Sequence, residues 1–298
     1  MNNELPKKHL VARSFGNAAA HYDDVAVLQS QTGDELLDRL SLVTLKPKRV
    51  LDLGVGTGRN LTLLAKRYPD AQMLALDIAP AMLQQARQRC QRASGLKRWL
   101  PYTNAPFYLA GDAENLPLVD NSVDLVFANL TLQWCDPRIS FAEIQRVLRP
   151  DGLLMFTSLG PDTLRELRQA WAEVDDYPHV NMFYDMHDVG EAMMAAGLAE
   201  PVLDTDLYTL TYDSAMALMK DLKVLGARNL NSGRRPGLTG KNTLQQVADA
   251  YEQFRRDDVL PATYEVVYGH AWGAQLKQQN ISGEIRIPID KIQRRKTL

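Results

Sequence analysis

The chain has 298 residues, 45% of them apolar, and a formal net charge of −2. Such a length permits one large domain with an insertion or two small ones, with a full core, and a charge this near zero excludes binding to nucleic acid or a membrane surface by bulk electrostatics. The two cysteines, Cys90 and Cys135, match no metal or redox spacing and read as reduced thiols. With no apolar signal region at the start and no run long enough to span a bilayer, the expectation is a cytoplasmic protein without a membrane partner.

In chain order, Ser14 to Ala20 is rich in small residues and leads into His21 and Tyr22, as a segment laid closely over another surface would. Asp23 to Leu40 reads as a lead-in helix. From Arg49 to Leu159 strand and helix signals alternate. Near-continuous apolar runs at Arg49–Leu53, Met73–Ile78, Phe107–Ala110, Val123–Asn129 and Leu153–Ser158 fit parallel strands covered on both faces. Pro80 opens a helix that Gly95 follows. Ile139, Ile144, Val147 and Leu148 carry a helical period before the turn at Pro150-Asp151-Gly152. Asp162–Val174 and Met186–Ala196 read as further helices, and Val202–Tyr212 and Thr263–Trp272 as late strands. Between those strands, an insertion from Asp213 to Asp258 carries two helical patterns and reads as a cap. The predicted fold is α/β: a doubly wound, seven-stranded, mostly parallel sheet with a helical insertion. Its divisions are 1–46 (lead-in helices), 47–212 (core sheet), 213–258 (cap) and 259–298 (last strand and a basic tail).

The densest chemical signal is Asp52-Leu53-Gly54-Val55-Gly56-Thr57-Gly58 between the first strand and a helix. Glycines at every second position permit a sharp turn and close approach to a bulky ligand. Arg59 occupies the place of the third glycine in a dinucleotide fingerprint, so that pattern fails. Asp77 ends the next strand about twenty residues on, where an acid accepts ribose hydroxyls, and Asp112 follows the third. This ordered set resembles the S-adenosylmethionine site of class I methyltransferases. Within that resemblance Asp52 meets the ligand ammonium or orders the loop, against a plain turn cap. Asp112 with Ala113 meets the adenine amino group, against a loop cap. Ile78 and Met82 join the cofactor set, as do Asn129 and Gln133 beside the expected methyl position. Trp134 reads either as part of that segment or as core.

Taken end to end, the chain resembles the malonyl-acyl-carrier-protein O-methyltransferase family of biotin synthesis. Phe15-Gly16-Asn17-Ala18-Ala19-Ala20-His21-Tyr22, Gly111-Asp112-Ala113-Glu114-Asn115-Leu116-Pro117-Leu118, Asn129-Leu130-Thr131-Leu132-Gln133-Trp134-Cys135 and Asp221-Leu222-Lys223-Val224-Leu225-Gly226-Ala227 carry the match. The resemblance implies methyl transfer from S-adenosylmethionine, leaving S-adenosylhomocysteine, to the free carboxylate of a malonyl thioester on acyl carrier protein. It also implies a cofactor role for Tyr22. A carboxylate is ionised at neutral pH, so no general base is required. Candidates to hold it are Tyr22, His21, Arg228 and Tyr268. Lys220, Lys223, Arg228, Arg234, Arg235 and Lys241 crowd one stretch of the insertion with Asp221 as its only acid. They are either a solvated face or a docking patch for the acidic carrier. Competing readings are a carboxyl methyltransferase for a small diacid, a quinone or nucleic-acid methyltransferase, and a non-catalytic binding factor on the same fold. No histidine or cysteine spacing suggests a metal.

Overall fold

The computed structural model describes residues 5–93, 105–230, 233, 234, 237 and 239–274. Gly95, Arg235 and the basic tail lie outside the described residues. The elements in order are α1 Lys8–Ala18, α2 Val27–Arg39, β1 Arg49–Leu53, α3 Arg59–Arg67, β2 Gln72–Asp77, α4 Pro80–Ala93, β3 Phe107–Ala110 and β4 Val123–Ala128. They continue as α5 Pro137–Val147, β5 Leu148–Leu159, α6 Arg165–Ala172, α7 Met186–Ala195, β6 Ala199–Tyr212, α8 Ala215–Val224, α9 Lys241–Tyr251 and β7 Leu260–Trp272. None of the described helices is long and apolar enough to cross a membrane.

The strands form one seven-stranded sheet in the order β3-β2-β1-β4-β5-β7-β6. Pairing is parallel from β3 to β5, and β7 runs antiparallel to both its neighbours. Alternation along each strand supplies two cores. Val50, Ala75, Phe127 and Met155 face α2, α3 and α6, whereas Leu51, Leu76, Val126 and Phe156 face α5 and α7. Both faces are therefore covered, which is why the strands read as continuous apolar runs.

Three sequence expectations need correction. The lead-in helix starts at Val27 rather than Asp23, because Tyr22–Asp24 forms a separate 3-10 turn. The small-residue stretch before it belongs to α1. Strand β5 begins at Leu148, which pairs with Val123, and the Pro150–Gly152 turn is an irregularity within it, with Asp151 in the left-handed region at φ 61°.

Two contacts tie α6 and the end of α8 to the rest of the fold. Glu166 of α6 is buried, and its carboxylate accepts the Thr263 backbone N–H at 3.1 Å and the Thr263 hydroxyl at 2.5 Å, fixing α6 to β7. At the other end Gly226, just after α8, meets α1: the Ser14 hydroxyl donates to its carbonyl at 2.8 Å. With φ +78° it lies so close that an added Cβ would sit 3.0 Å from the Ser14 carbonyl oxygen.

Glu166→Ala leaves two buried donors on Thr263 without acceptors. Urea unfolding should show a loss of about 2–3 kcal/mol, given the cost of unsatisfied buried groups.

Candidate active site

The turns after β1 and β4 border a crevice at the carboxyl ends of the strands, where ligands bind in doubly wound sheets. Gly54 and Gly56 line it. Gly54, at φ +71°, rests against the Thr131 side chain so closely that no Cβ would fit. Gly56, at φ +52°, has open space beside it and donates its N–H to Asp77 Oδ2 at 2.9 Å. Gly58 does something else. It precedes α3 at φ +83°, and a Cβ there would come within 2.8 Å of the Ala86 backbone on α4, so its missing side chain serves helix packing.

Asp77 is the crevice's organising acid. Its other oxygen accepts the Ala79 N–H at 2.8 Å. Burial pushes its carboxyl up to about 6, against the pull of the backbone N–H groups of Ala79, Gly56 and Ile78. Asp52 lies behind the loop, fully buried and away from the crevice lining. Burial, and then the Asp77 charge, push it up to about 8. The Leu61 backbone N–H opposes that rise, and Asp52 Oδ2 has no partner. This placement suits an acid that orders the loop. Asp112, Ala113, Ile78, Met82 and Asn129 all line the crevice. The Asn129 amide makes three bonds, donating to the Gln29 carbonyl at 2.8 Å and accepting from Thr32 at 3.0 Å and Thr157 at 2.8 Å. It therefore braces β4 against α2 and β5.

Helix α1 roofs the crevice with Lys8, Val11 and Phe15, none of which the sequence reading placed among the site residues. Lys8 bridges Asp112 at 3.3 Å and Glu114 at 2.7 Å. Burial works against its charge, but Cys135, Glu114 and Asp112 outweigh that and raise it. Phe15 meets Trp134 edge to face at 5.3 Å. Tyr22 also lines the crevice. Burial, then the Asp77 and Asp23 carboxylates, push its phenol upward, so it is a neutral hydrogen-bond donor. Asp23 anchors that stretch by accepting the Thr57 hydroxyl at 2.6 Å and pairing with Arg89. His21, by contrast, points away: its side chain is 74% exposed and pairs with Asp24. Under this roof the crevice encloses only about 80 Å³.

A larger cavity of about 730 Å³ adjoins it, sharing Phe15, Tyr22, Leu130 and Trp134 as a seam. Leu130 is held in the left-handed region, at φ 48°, by its N–H bond to Thr157 at 2.8 Å. Such strain in a non-glycine residue is characteristic of functional positions. Gln133 lines this cavity and not the crevice, its amide donating to the Leu130 carbonyl at 2.7 Å. Lys223, Arg228 and Arg234 line the cavity while remaining exposed, which places them at its rim. Lys220 and Lys241 are exposed and outside the lining. Tyr268 lies outside both spaces. It is buried, its hydroxyl is 2.7 Å from that of Tyr208, and the Arg39 guanidinium sits 3.9 Å over its ring. Exposed His21 likewise lines neither space. The cavity also holds Trp171 and His179, which motif reading passed over.

The crevice fits S-adenosylmethionine in its chemistry: an acid for a ribose diol, open backbone at Gly56, and carboxylates facing a cationic ligand. If Asp77 accepts the ribose hydroxyls it must be ionised. Cofactor affinity measured by calorimetry should therefore fall as pH drops from 8 through about 6. Asp77→Asn should weaken binding roughly tenfold at pH 8 and flatten that dependence.

Residues 51–156 match the family model described as a methyltransferase domain. A protein of Bacillus halodurans C-125, classed as a methyltransferase, shares the fold with a TM-score of 0.57 at 17% identity, over 82% of this chain and 100% of its own. The malonyl-[acyl-carrier protein] O-methyltransferase of Laribacter hongkongensis is 51% identical over 89% of each chain. That of Halorhodospira halophila is 46% identical over 97% of this chain and 96% of its own. With that identity over nearly the whole length, and with the cofactor crevice intact, the chain belongs to the malonyl-[acyl-carrier protein] O-methyltransferase family.

Proposed function

We propose that this protein methylates the free carboxylate of a malonyl group carried as a thioester on acyl carrier protein, with S-adenosylmethionine as the methyl donor, in the cytoplasm. One observation carries the substrate side of this reading. Among the described residues lining the larger cavity there are three cations, Lys223, Arg228 and Arg234, and no carboxylate. That lining suits an anionic acyl group, and the exposed rim suits an acidic carrier protein. A free small diacid would leave most of about 730 Å³ unfilled.

The bound cofactor supplies an activated methyl group; the chain supplies alignment. Gly54, Gly56, Asp77, Asp112 and Ala113 are the groups to hold the cofactor, with Asp52 ordering the loop behind them. The substrate carboxylate needs no base. What it needs is loss of water and an approach in line with the methyl carbon. Phe15, Leu130 and Trp134 provide the apolar seam for that. Tyr22 offers a neutral donor there, which orients an oxygen without neutralising it.

Incubation with malonyl-acyl carrier protein and S-adenosylmethionine should add one methyl-sized mass to the carrier, removable by mild ester hydrolysis. Absence of that gain in a sample that binds the cofactor would send the search to other carboxylates. Reversing Lys223 and Arg234 to Glu should raise KM for malonyl-acyl carrier protein at least tenfold while changing KM for a small malonyl thioester much less, in line with rim charges acting on a macromolecular partner. Equal loss with both substrates would assign these residues to the acyl group itself.

A further inference from the structure

The substrate cavity contains a histidine whose every degree of freedom is fixed, although the reaction requires no base. His179 stacks face to face on Trp171, with ring centroids 3.5 Å apart and 9° between the planes. Its Nε2 is 2.7 Å from Asp175 Oδ1, and the Tyr177 N–H donates to the same oxygen at 3.0 Å. The neighbouring Pro178 carbonyl accepts the Asn229 side-chain amide at 2.6 Å, which ties this segment to the loop bearing Arg228. The imidazole is 10% exposed, so the bond to Asp175 commits Nε2–H to the carboxylate and leaves Nδ1 as the ring's remaining polar atom. Among the described residues nothing hydrogen-bonds Nδ1. Packing alone does not call for a histidine here, since a phenyl ring would stack on Trp171 without burying a polar nitrogen.

Resting on the malonyl reading above, we infer that His179 is a substrate-binding residue that holds one oxygen of the acyl carboxylate through Nδ1–H. Because Nε2–H belongs to Asp175, a proton on Nδ1 makes the ring an imidazolium. Two carboxylates, Asp175 and the substrate, bracket it, and the Trp171 face beneath is itself favourable to a cation. The other ionisable groups on this cavity's described walls are Lys223 of α8, Arg228 and Arg234 of the following loop, Tyr22 and Tyr264. None of them is an acid, so no other group on those walls competes with the substrate for the imidazolium. A single-point contact leaves the second carboxylate oxygen free to take the methyl group. Once the ester forms, the negative charge is gone and the contact loses its charge assistance, so the same residue that captures the acid releases the ester.

The test is calorimetry with S-adenosylhomocysteine already bound, which prevents turnover, using malonyl-pantetheine and its methyl ester as probes. The wild type should bind the acid roughly ten- to a hundred-fold more tightly than the ester, the range for a charge-assisted hydrogen bond. His179→Phe keeps the stack on Trp171 and should bring that ratio to within about twofold, with ester and S-adenosylhomocysteine affinities unchanged. Asp175→Asn should lower the ratio in the same direction. If His179→Phe weakens acid and ester equally, the ring only shapes the cavity and the assignment falls. It falls too if neither changes, with Arg228→Gln as the comparison that would then abolish the preference. A wild type that binds S-adenosylhomocysteine but neither thioester overturns the malonyl reading, and this assignment with it.

Discussion

The order in which strands are added across the sheet reverses at β1. From that strand the sheet grows outward to β2 and β3, and the chain then returns to lay β4 and β5 on the other side. The turns that follow β1 and β4 consequently part from each other, and the crevice between them exists before any side chain is considered. Asp77 converts that opening into a site. Bound to the Gly56 and Ala79 amides, it holds the glycine turn to the end of β2 and lines the crevice with the same carboxylate. Asp52 behind the loop and α1 above it are arranged around this one contact.

Charge is partitioned between the two adjoining spaces. The crevice carries Asp77 and Asp112, with Lys8 paired to Asp112, and Asp77 is left to face a sulfonium. The larger cavity is lined by cations suited to a carboxylate. They meet at Phe15, Tyr22, Leu130 and Trp134, where no formal charge intervenes. Two opposite ligand charges drawn into an apolar seam attract more strongly than in water. The reaction cancels both, so the field that assembles the reactants has little hold on the products.

Much of this was legible from local pattern. Strands β1, β3 and the turn acids follow from continuous apolar runs ended by Gly and Asp, signals that need no tertiary context. Lead-in helices were expected over 1–46, but the bounds of α1 were not legible, because its small, polar run Arg13–Ala18 has no strong apolar stripe. Tyr268 shows a different limit. Alternation along β7 puts Tyr264 and Tyr268 on one face, but it does not tell how far along the strand the cavity ends. Tyr264 reaches the cavity, whereas Tyr268 lies beneath Arg39 and beside Tyr208. The rim cations were visible as a charge cluster, yet their position around an opening depended on where the Gly226 turn lands. His179 carried no motif, because its partners Trp171 and Asp175 acquire meaning only through stacking geometry.

The Ser14–Gly226 contact joins segments 212 residues apart, the roof of one space to the wall of the other. A crevice of about 80 Å³ is below the size of ordinary ligand pockets, and α1 is its roof. Because Gly226 is bonded to Ser14, that roof and the loop that carries Arg228 are mechanically linked.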